Sequence, residues 1–129
     1  MSFRKVRNAH KTENTEDYLE LIAELLNLKG EARIVDIANT LDIAQATANK
    51  TIRRLQNQGY ITREPYRSIF LTVKGQKIAS KSKKRHNTVL EFLLNLGLDH
   101  KTASADAEGI EHHVSEKTLK KMDKFNQKK

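Results

Sequence analysis

An apolar residue recurs every three or four positions from Tyr18 onward, and this spacing predicts an α-helix. The residues that carry the period are Tyr18, Leu21, Ile22, Leu25 and Leu26. Asn14 or Thr15 can cap the start of this helix, and Gly30 can end it. Residues 1–13 have few apolar side chains and no sustained period, so the sequence predicts a flexible basic arm there.

Two shorter helical patterns lie between residues 32 and 59, joined by the tight link Asp42-Ile43-Ala44. Asp42 stands where such a turn often has glycine, and aspartate enters the left-handed conformation more readily than most residues. The period then changes to two strand-like runs, residues 60–63 and 68–72, separated by Glu64-Pro65-Tyr66-Arg67. A helix, a short turn, a second helix and a hairpin follow the order of a winged helix-turn-helix, whose second helix enters the major groove of DNA.

The remaining residues return to a helical period. A long helix over residues 74–96 has a basic first half and an apolar second half, and Gly97 is predicted to end it. Two shorter helices are expected to follow, one from about Lys101 to His113 and one from Ser115, which is predicted to be a weak cap of that helix. The predicted fold is mainly α with a small β-hairpin wing: the winged helix-turn-helix DNA-binding domain spans residues 14–73, and a long linker helix with a helical module spans residues 74–129.

The net charge of +8 over 129 residues favours a polyanionic partner, because lysine and arginine gain affinity when they displace the counterions of phosphates. Double-stranded DNA is the first candidate, and a membrane surface is the rival. The sequence has no run of about 18 apolar residues and no signal-peptide core at its start, so we expect no membrane partner and a soluble, cytoplasmic protein. The chain has no cysteine, so any metal must be held by carboxylate, imidazole, carbonyl or water.

Polar residues on the second short helix are candidates for reading DNA. If its apolar residues Ala48, Ile52 and Leu55 face the core, Gln and Asn on the other face can pair with adenine edges, whereas Lys and Arg can reach guanine or phosphate. Residues near the hairpin tip are better suited to phosphate contacts, which position a protein without specifying sequence. The candidate DNA-binding residues are Gln45, Thr47, Asn49, Lys50 and Arg53 on the helix and Arg63, Tyr66 and Arg67 on the hairpin.

Carboxylates and imidazoles at helical spacing predict a metal site. The candidate ligands are Asp17, Glu20, His86, Glu108, Glu111 and His112. The last three stand at relative positions 0, 3 and 4, which gathers side chains on one face of a helix. Three helices could therefore converge on one or two cations, and such an oxygen-rich set suits Mn(II) or Fe(II) better than structural zinc. The ordinary alternatives are that Asp17 and Glu20 complement a helix dipole and that His86 faces solvent or phosphate.

Several segments share a pattern with a known family. They are Glu16-Asp17-Tyr18-Leu19-Glu20, Ile34-Val35-Asp36-Ile37-Ala38, Tyr66-Arg67-Ser68-Ile69-Phe70-Leu71-Thr72, Lys84-Arg85-His86 and Asp106-Ala107-Glu108-Gly109-Ile110-Glu111-His112-His113. In these segments the chain closely resembles the manganese-responsive transport regulators of the diphtheria-toxin-repressor family. By the family pattern the metal ligands fall on the same six candidates. Iron-responsive relatives have Met and Cys at the positions that match Asp17 and Glu108, so the oxygen ligands here point to Mn(II).

The resemblance implies a manganese-dependent transcriptional repressor that binds operator DNA as a homodimer and controls manganese transport genes. Residues 74–129 would then contain the metal-binding and dimerisation domain, and no small organic substrate is expected. Two other classes stay open. A carboxylate-bridged dimetal enzyme is one, although the usual pairing of Glu with His three residues later is absent. A metal-independent architectural DNA-binding protein is the other, and it leaves the acidic cluster unexplained.

Overall fold

The computed structural model describes residues 3–64 and 67–128, with side chains from residue 14 onward. Over these residues the chain is mainly α-helical with one antiparallel hairpin, which confirms the predicted fold class. The elements are α1 (Phe3–Lys29), α2 (Ile34–Leu41), α3 (Gln45–Asn57), β1 (Ile61–Arg63), β2 (Ile69–Leu71), α4 (Val73–Asn95), α5 (His100–Ile110) and α6 (Glu116–Gln127). The chain divides into two compact units: the first is Asn14–Ser80, and the second comprises Met1–Glu13 and Lys81–Lys129. None of the described helices is both long and apolar enough to cross a membrane.

Helix α1 begins at Phe3, so two predictions about the N-terminal segment are wrong. The backbone of residues 3–13 is helical instead of forming a flexible arm, and the helix does not start at Asn14 or Thr15. The segment contains neither glycine nor proline, the two residues that interrupt helices most strongly. Extending an existing helix fixes one residue for each hydrogen bond gained, whereas starting one fixes several, so a basic segment of low hydrophobicity can continue a helix that it would not nucleate.

The first unit has an apolar core built from every element within it. The side chains that are fully or almost fully buried include Leu19, Ile22, Ile37, Ile52, Leu55, Ile61 and Ile69. On α3 the buried residues are Ala48, Ile52 and Leu55, which confirms the face predicted from their spacing. That packing fixes which side of α3 is turned away from the core.

The turn between α2 and α3 has the predicted backbone conformation. Asp42 has φ 54° and ψ 52°, in the left-handed region. The chain closes tightly there, since the N–H of Ile43 donates to the carbonyl of Ala38 at 3.0 Å. Ala44 precedes α3 without a capping side chain, and its carbonyl accepts the first helical hydrogen bond from Ala48 at 3.1 Å.

The hairpin is anchored at its open end. Strands β1 and β2 pair antiparallel, with Arg63 opposite Ile69. After β2, the hydroxyl of Thr72 donates to the carbonyl of Gly59 at 2.7 Å and accepts from the N–H of Gly75 at 3.1 Å. A Cβ on Gly75 would lie only 2.1 Å from the carbonyl oxygen of Tyr60, so glycine is required where α4 passes the strand.

The second unit has a smaller core with a large share of alanine. Its buried apolar residues are Val89 and Leu93 of α4, Ala103 and Ala107 of α5, and Leu119 of α6. Ser115 caps α6 by accepting from the N–H of Thr118 at 3.2 Å, as predicted. Helix α5 ends at Ile110, so the prediction that it continues to His113 is wrong. Beyond it the N–H groups of His112 and His113 bond to carbonyls three residues back, which tightens the chain into a turn just after the helix-weakening Gly109.

Candidate functional site

A buried carboxylate lies between two imidazoles in the second unit. The side chain of Glu111 is only 2% exposed, and its Oε2 lies 3.0 Å from Nδ1 of His86 on α4. Its Oε1 lies 3.4 Å from Nε2 of His112, whose side chain is 3% exposed. Burying a carboxylate is costly unless cationic or hydrogen-bonding groups face it. Imidazole is a common metal ligand, and a buried carboxylate with two imidazoles beside it is an environment that favours a cation.

Glu108 adds a second carboxylate to the group formed by Glu111, His86 and His112. It is exposed and lies three residues before Glu111, hence on the same side of the last turn of α5. His86, Glu108 and Glu111 can each offer one ligand atom, with these atoms within 4.8 Å of one another. Two carboxylates and an imidazole are the donors that manganese, iron and zinc accept, and the group contains no soft sulfur. With His112 beside Glu111, the structure thus brings together four of the six predicted ligands.

Asp17 and Glu20 lie on α1 in the first unit, and both are partly buried. They flank Tyr18 and Leu19, which belong to the core of that unit. Packing of these neighbours fixes the rotation of α1 about its axis and so places both carboxylates near the border of the buried face. Their assignment as metal ligands stays a prediction from sequence.

The predicted reading helix presents a polar surface. Gln45, Thr47, Lys50 and Arg53 are exposed, and Asn49 is partly buried. Positions 45, 49 and 53 are four residues apart and therefore form one stripe along α3. This surface carries amide, hydroxyl and cationic groups on a rigid element, the kind of surface that reads base edges.

On the hairpin, the two described arginines have different surroundings. Arg63 is partly buried and donates a hydrogen bond from Nη1 to Oδ1 of Asn49 at 2.5 Å. Arg67 is 75% exposed and its Nε lies 3.5 Å from the equally exposed Glu64. Such a surface pair is weak, so Arg67 can exchange it for a phosphate at little cost. Tyr66, also predicted to contact DNA, lies outside the described residues.

Two arginines that sequence reasoning did not single out have structural partners. Arg54 of α3 donates to Thr15 Oγ1 at 3.1 Å and to Asn14 Oδ1 at 3.2 Å, so it links α3 to α1. Arg85, next to His86, donates to the carbonyl of Val114 at 2.9 Å and so holds the turn that carries Glu111 and His112. Neither contact has a signal in sequence spacing, because each joins residues at least 29 positions apart.

Both units match models of one protein family. Residues 10–69 match the family described as iron dependent repressor, N-terminal DNA binding domain. Residues 72–128 match iron dependent repressor, metal binding and dimerisation domain. The matches follow the order predicted from the sequence.

Individual relatives agree with this assignment. The transcriptional regulator MntR of Escherichia coli O6:H1 is 48% identical over 126 residues, covering 98% of this chain and 81% of that protein. The HTH-type transcriptional regulator MntR of Lysinibacillus sphaericus is 38% identical over 104 residues, covering 81% of this chain and 75% of that protein.

Solved structures of similar proteins share the fold. The manganese regulator SloR has a TM-score of 0.77 at 27% identity, with 88% of this chain and 53% of that chain covered. A manganese-dependent transcriptional repressor in complex with manganese has a TM-score of 0.80 at 26% identity, with coverages of 88% and 52%. The chain therefore spans about half the length of these solved proteins.

These comparisons give no support to the dimetal enzyme or to the metal-independent architectural protein, because the matching models and relatives are transcriptional regulators with a metal-binding domain. With a DNA-binding domain followed by a metal-binding and dimerisation domain, the chain belongs to the iron-dependent repressor family of metal-dependent transcriptional regulators.

Proposed function

We propose that this protein is a cytoplasmic, homodimeric repressor that binds operator DNA when Mn(II) is bound. The genes that it would control are those of manganese transport. The observation that carries the metal part is the group of His86, Glu108 and Glu111, whose ligand atoms lie within 4.8 Å of one another. Support for manganese over iron comes from the oxygen ligand at position 108 and from relatives whose names record manganese. Fe(II) and other divalent cations would compete with Mn(II) for the same side chains.

The proposed ligand set is larger than this group. It adds His112, beside Glu111, and the α1 carboxylates Asp17 and Glu20, for one or two cations per subunit. When bound, a divalent cation supplies positive charge that compensates the carboxylates and fixes the directions of the side chains that hold it. Within the second unit, Glu111 would contribute a pre-positioned oxygen, because its burial and its two imidazole neighbours leave it little freedom.

On the DNA side, α3 is the proposed reading helix. Its exposed residues would contact base edges and phosphates in the major groove, and the wing arginines would contact the backbone. A twofold symmetric dimer would place two copies of α3 in major grooves about one helical turn apart, which predicts a palindromic operator.

Coupling between metal and DNA follows if the ligands come from both units. A cation held by α1 carboxylates and by the second unit would restrict the arrangements available to the two units and so select those that fit the operator. By thermodynamic linkage, operator DNA must then tighten Mn(II) binding by the same factor that Mn(II) tightens DNA binding. Equal Mn(II) affinity with and without operator would contradict the coupling.

The test is the affinity for promoter DNA, measured by fluorescence anisotropy at fixed salt with a chelator and with a series of Mn(II) concentrations. The promoters are the protein's own and that of a manganese transporter. Strong tightening by Mn(II), lost in Glu108→Ala and His112→Ala but retained in Glu91→Ala, supports the proposal. Glu91 is an exposed glutamate of α4 outside the ligand set, so it controls for charge removal. Tight binding of promoter DNA that does not depend on Mn(II) would overturn the proposal.

A further inference from the structure

Arg85 links the two elements that carry the candidate metal ligands of the second unit. It lies on α4 immediately before His86, and its Nη2 donates to the carbonyl of Val114 at 2.9 Å. Val114 follows Glu111 and His112 in the turn after α5. The hydrogen bond therefore holds this turn against α4 close to the ligands that each element contributes.

The position of the turn matters because the candidate ligands come from both elements. His86 belongs to α4, whereas Glu111 and His112 belong to the turn, and Oε2 of Glu111 lies 3.0 Å from Nδ1 of His86. A metal ion accepts ligand distances only within about 0.2 Å of their ordinary values. If the turn moved freely against α4, bringing it back into place would cost metal affinity, because part of the binding free energy would be used to order the ligands.

The contact is poorly suited to stabilising the fold by itself. Nε of Arg85 is shielded from solvent and has no hydrogen-bond partner in the part of the chain that the structure describes. A shielded donor without a partner carries a desolvation cost, which offsets much of what the bond to Val114 contributes. We propose that Arg85 is a positioning residue of the metal site: it holds the turn so that His86, Glu111 and His112 bind Mn(II) with less rearrangement. This inference rests on the proposed function and assigns no ligand role to Arg85 itself.

The charge of Arg85 makes the sign of its effect informative. A guanidinium group is always cationic, and a cation close to the site repels a metal ion. If repulsion were its only influence, removing Arg85 would tighten Mn(II) binding. If Arg85 positions the turn, removing it weakens Mn(II) binding, since the loss of groups that orient metal ligands typically costs about 10- to 100-fold in affinity. The two explanations therefore predict opposite changes.

The test is the Mn(II) affinity of the full chain, measured by competition with a fluorescent chelator at fixed pH and salt. Arg85→Met removes the donor and the charge but keeps a long apolar stem, and it is expected to raise the dissociation constant by about tenfold. Arg85→Lys keeps the charge and a donor on a flexible stem, so a smaller loss of affinity is expected. In metal-free Arg85→Met, hydrogen exchange is expected to quicken at the amides of His112 and His113, which close the turn.

Asn126→Ala is the matched control for a general loss of stability. Asn126 of α6 is 8% exposed and donates from Nδ2 to the carbonyl of Thr88 at 3.1 Å, so it links α6, and not the turn after α5, to α4. The variant is expected to be less stable in urea than Arg85→Met and yet to keep the original Mn(II) affinity. The affinity of a protein that remains folded does not depend on its free energy of unfolding.

Unchanged or tighter Mn(II) binding in Arg85→Met would overturn the inference, and so would an equal loss of affinity in Asn126→Ala. If the original chain binds no Mn(II), the proposed function fails and this inference fails with it. If the original chain binds Mn(II) and Arg85→Met binds it as tightly, only this inference fails. Circular dichroism checks the fold of each variant. If Arg85→Met does not fold, Arg85→Lys decides: weaker binding supports the inference, and binding equal to that of the original chain overturns it.

Discussion

In the first unit the polar residues proposed to contact DNA lie outside an apolar core, whereas in the second unit a proposed metal ligand, Glu111, lies inside the protein. The first unit buries large aliphatic side chains such as Ile52 and Leu55 under the reading helix. The second relies on a smaller core in which alanines are prominent. A surface proposed to read DNA can thus be changed with little effect on folding, whereas a proposed ligand set that includes the buried Glu111 links metal binding to the stability of its own unit.

The largest effect is expected from the core beneath α3. Leu55 is 0% exposed, and Leu55→Ala is expected to lower the free energy of unfolding by about 2–5 kcal/mol, because transfer and cavity costs add. Urea denaturation followed by circular dichroism measures it. Leu28→Ala is the matched control, since Leu28 is 72% exposed and its loss is expected to change stability by less than about 0.5 kcal/mol. Similar losses in the two variants would refute the core assignment.

Metal removal is expected to act mainly on the second unit. A cation that binds only the folded state adds about 2.7 kcal/mol of stability when its free concentration is 100 times its dissociation constant. Hydrogen exchange of the amides of α5 is therefore expected to slow strongly when Mn(II) replaces chelator, and the core amides of α3 to change less. If α3 gained as much protection as α5, metal binding would not stabilise the second unit more than the first, and the contrast between the units would be refuted.

Glu111→Gln sharpens the same comparison. The substitution keeps the side-chain shape but removes the buried charge, so Mn(II) is expected to lose its protective effect on α5. Without metal the variant is expected to be as stable as the original protein to within about 1 kcal/mol, because removing a buried charge also removes its desolvation cost. Calorimetric melting with and without Mn(II) measures both quantities. A metal-free variant that is severely destabilised would mean that Glu111 serves the fold and not the metal.

Substitutions of two adjacent arginines in the first unit distinguish a structural role from a role in DNA contact. Arg54→Ala loses the hydrogen bonds to Asn14 and Thr15 and is expected to lower stability by about 1 kcal/mol. Arg53→Ala removes an exposed cation and is expected to leave stability unchanged while it reduces the salt dependence of DNA binding by about one phosphate contact. Urea denaturation and binding titrations over a range of salt concentrations distinguish them. The roles assigned to the two residues would be exchanged if Arg53→Ala were the destabilised variant.

The features predictable from sequence are those set by neighbours along the chain. The spacing of Ala48, Ile52 and Leu55 was enough to orient α3, and the conformational tolerance of aspartate was enough to predict the turn at Asp42. The start of α1 was not predictable in this way, because helix extension depends on the helix already formed. The Arg63–Asn49 contact could not be predicted either, since it depends on how the hairpin packs against α3 and not on the spacing of residues along the chain.

The smallest effect is expected at a local feature that sequence reasoning could have found. Asp99 caps α5 by accepting from the N–H of Thr102 at 3.0 Å, the usual three-residue capping pattern. Hydrogen bonding with Thr102 lowers the pKa of Asp99 below its ordinary value. A carboxyl whose pKa is lower in the folded state stabilises it above the unfolded pKa, and this contribution disappears as the pH falls through the folded pKa.

Carbon-detected NMR titration of Asp99 is expected to give a pKa below the ordinary value for an aspartate side chain. Asp99→Asn is the matched variant, because its amide oxygen can still accept from Thr102 but carries no titrating group. The variant is expected to keep α5 and to lose only the acid-dependent part of the cap, seen as a smaller fall in α5 hydrogen-exchange protection between neutral and acid pH. Identical pH dependence in the two proteins would show that the cap does not depend on the charge of Asp99. In that case the buried Glu111, and not the cap of α5, would be the group whose charge matters to the second unit, which would make the contrast between the two units stronger.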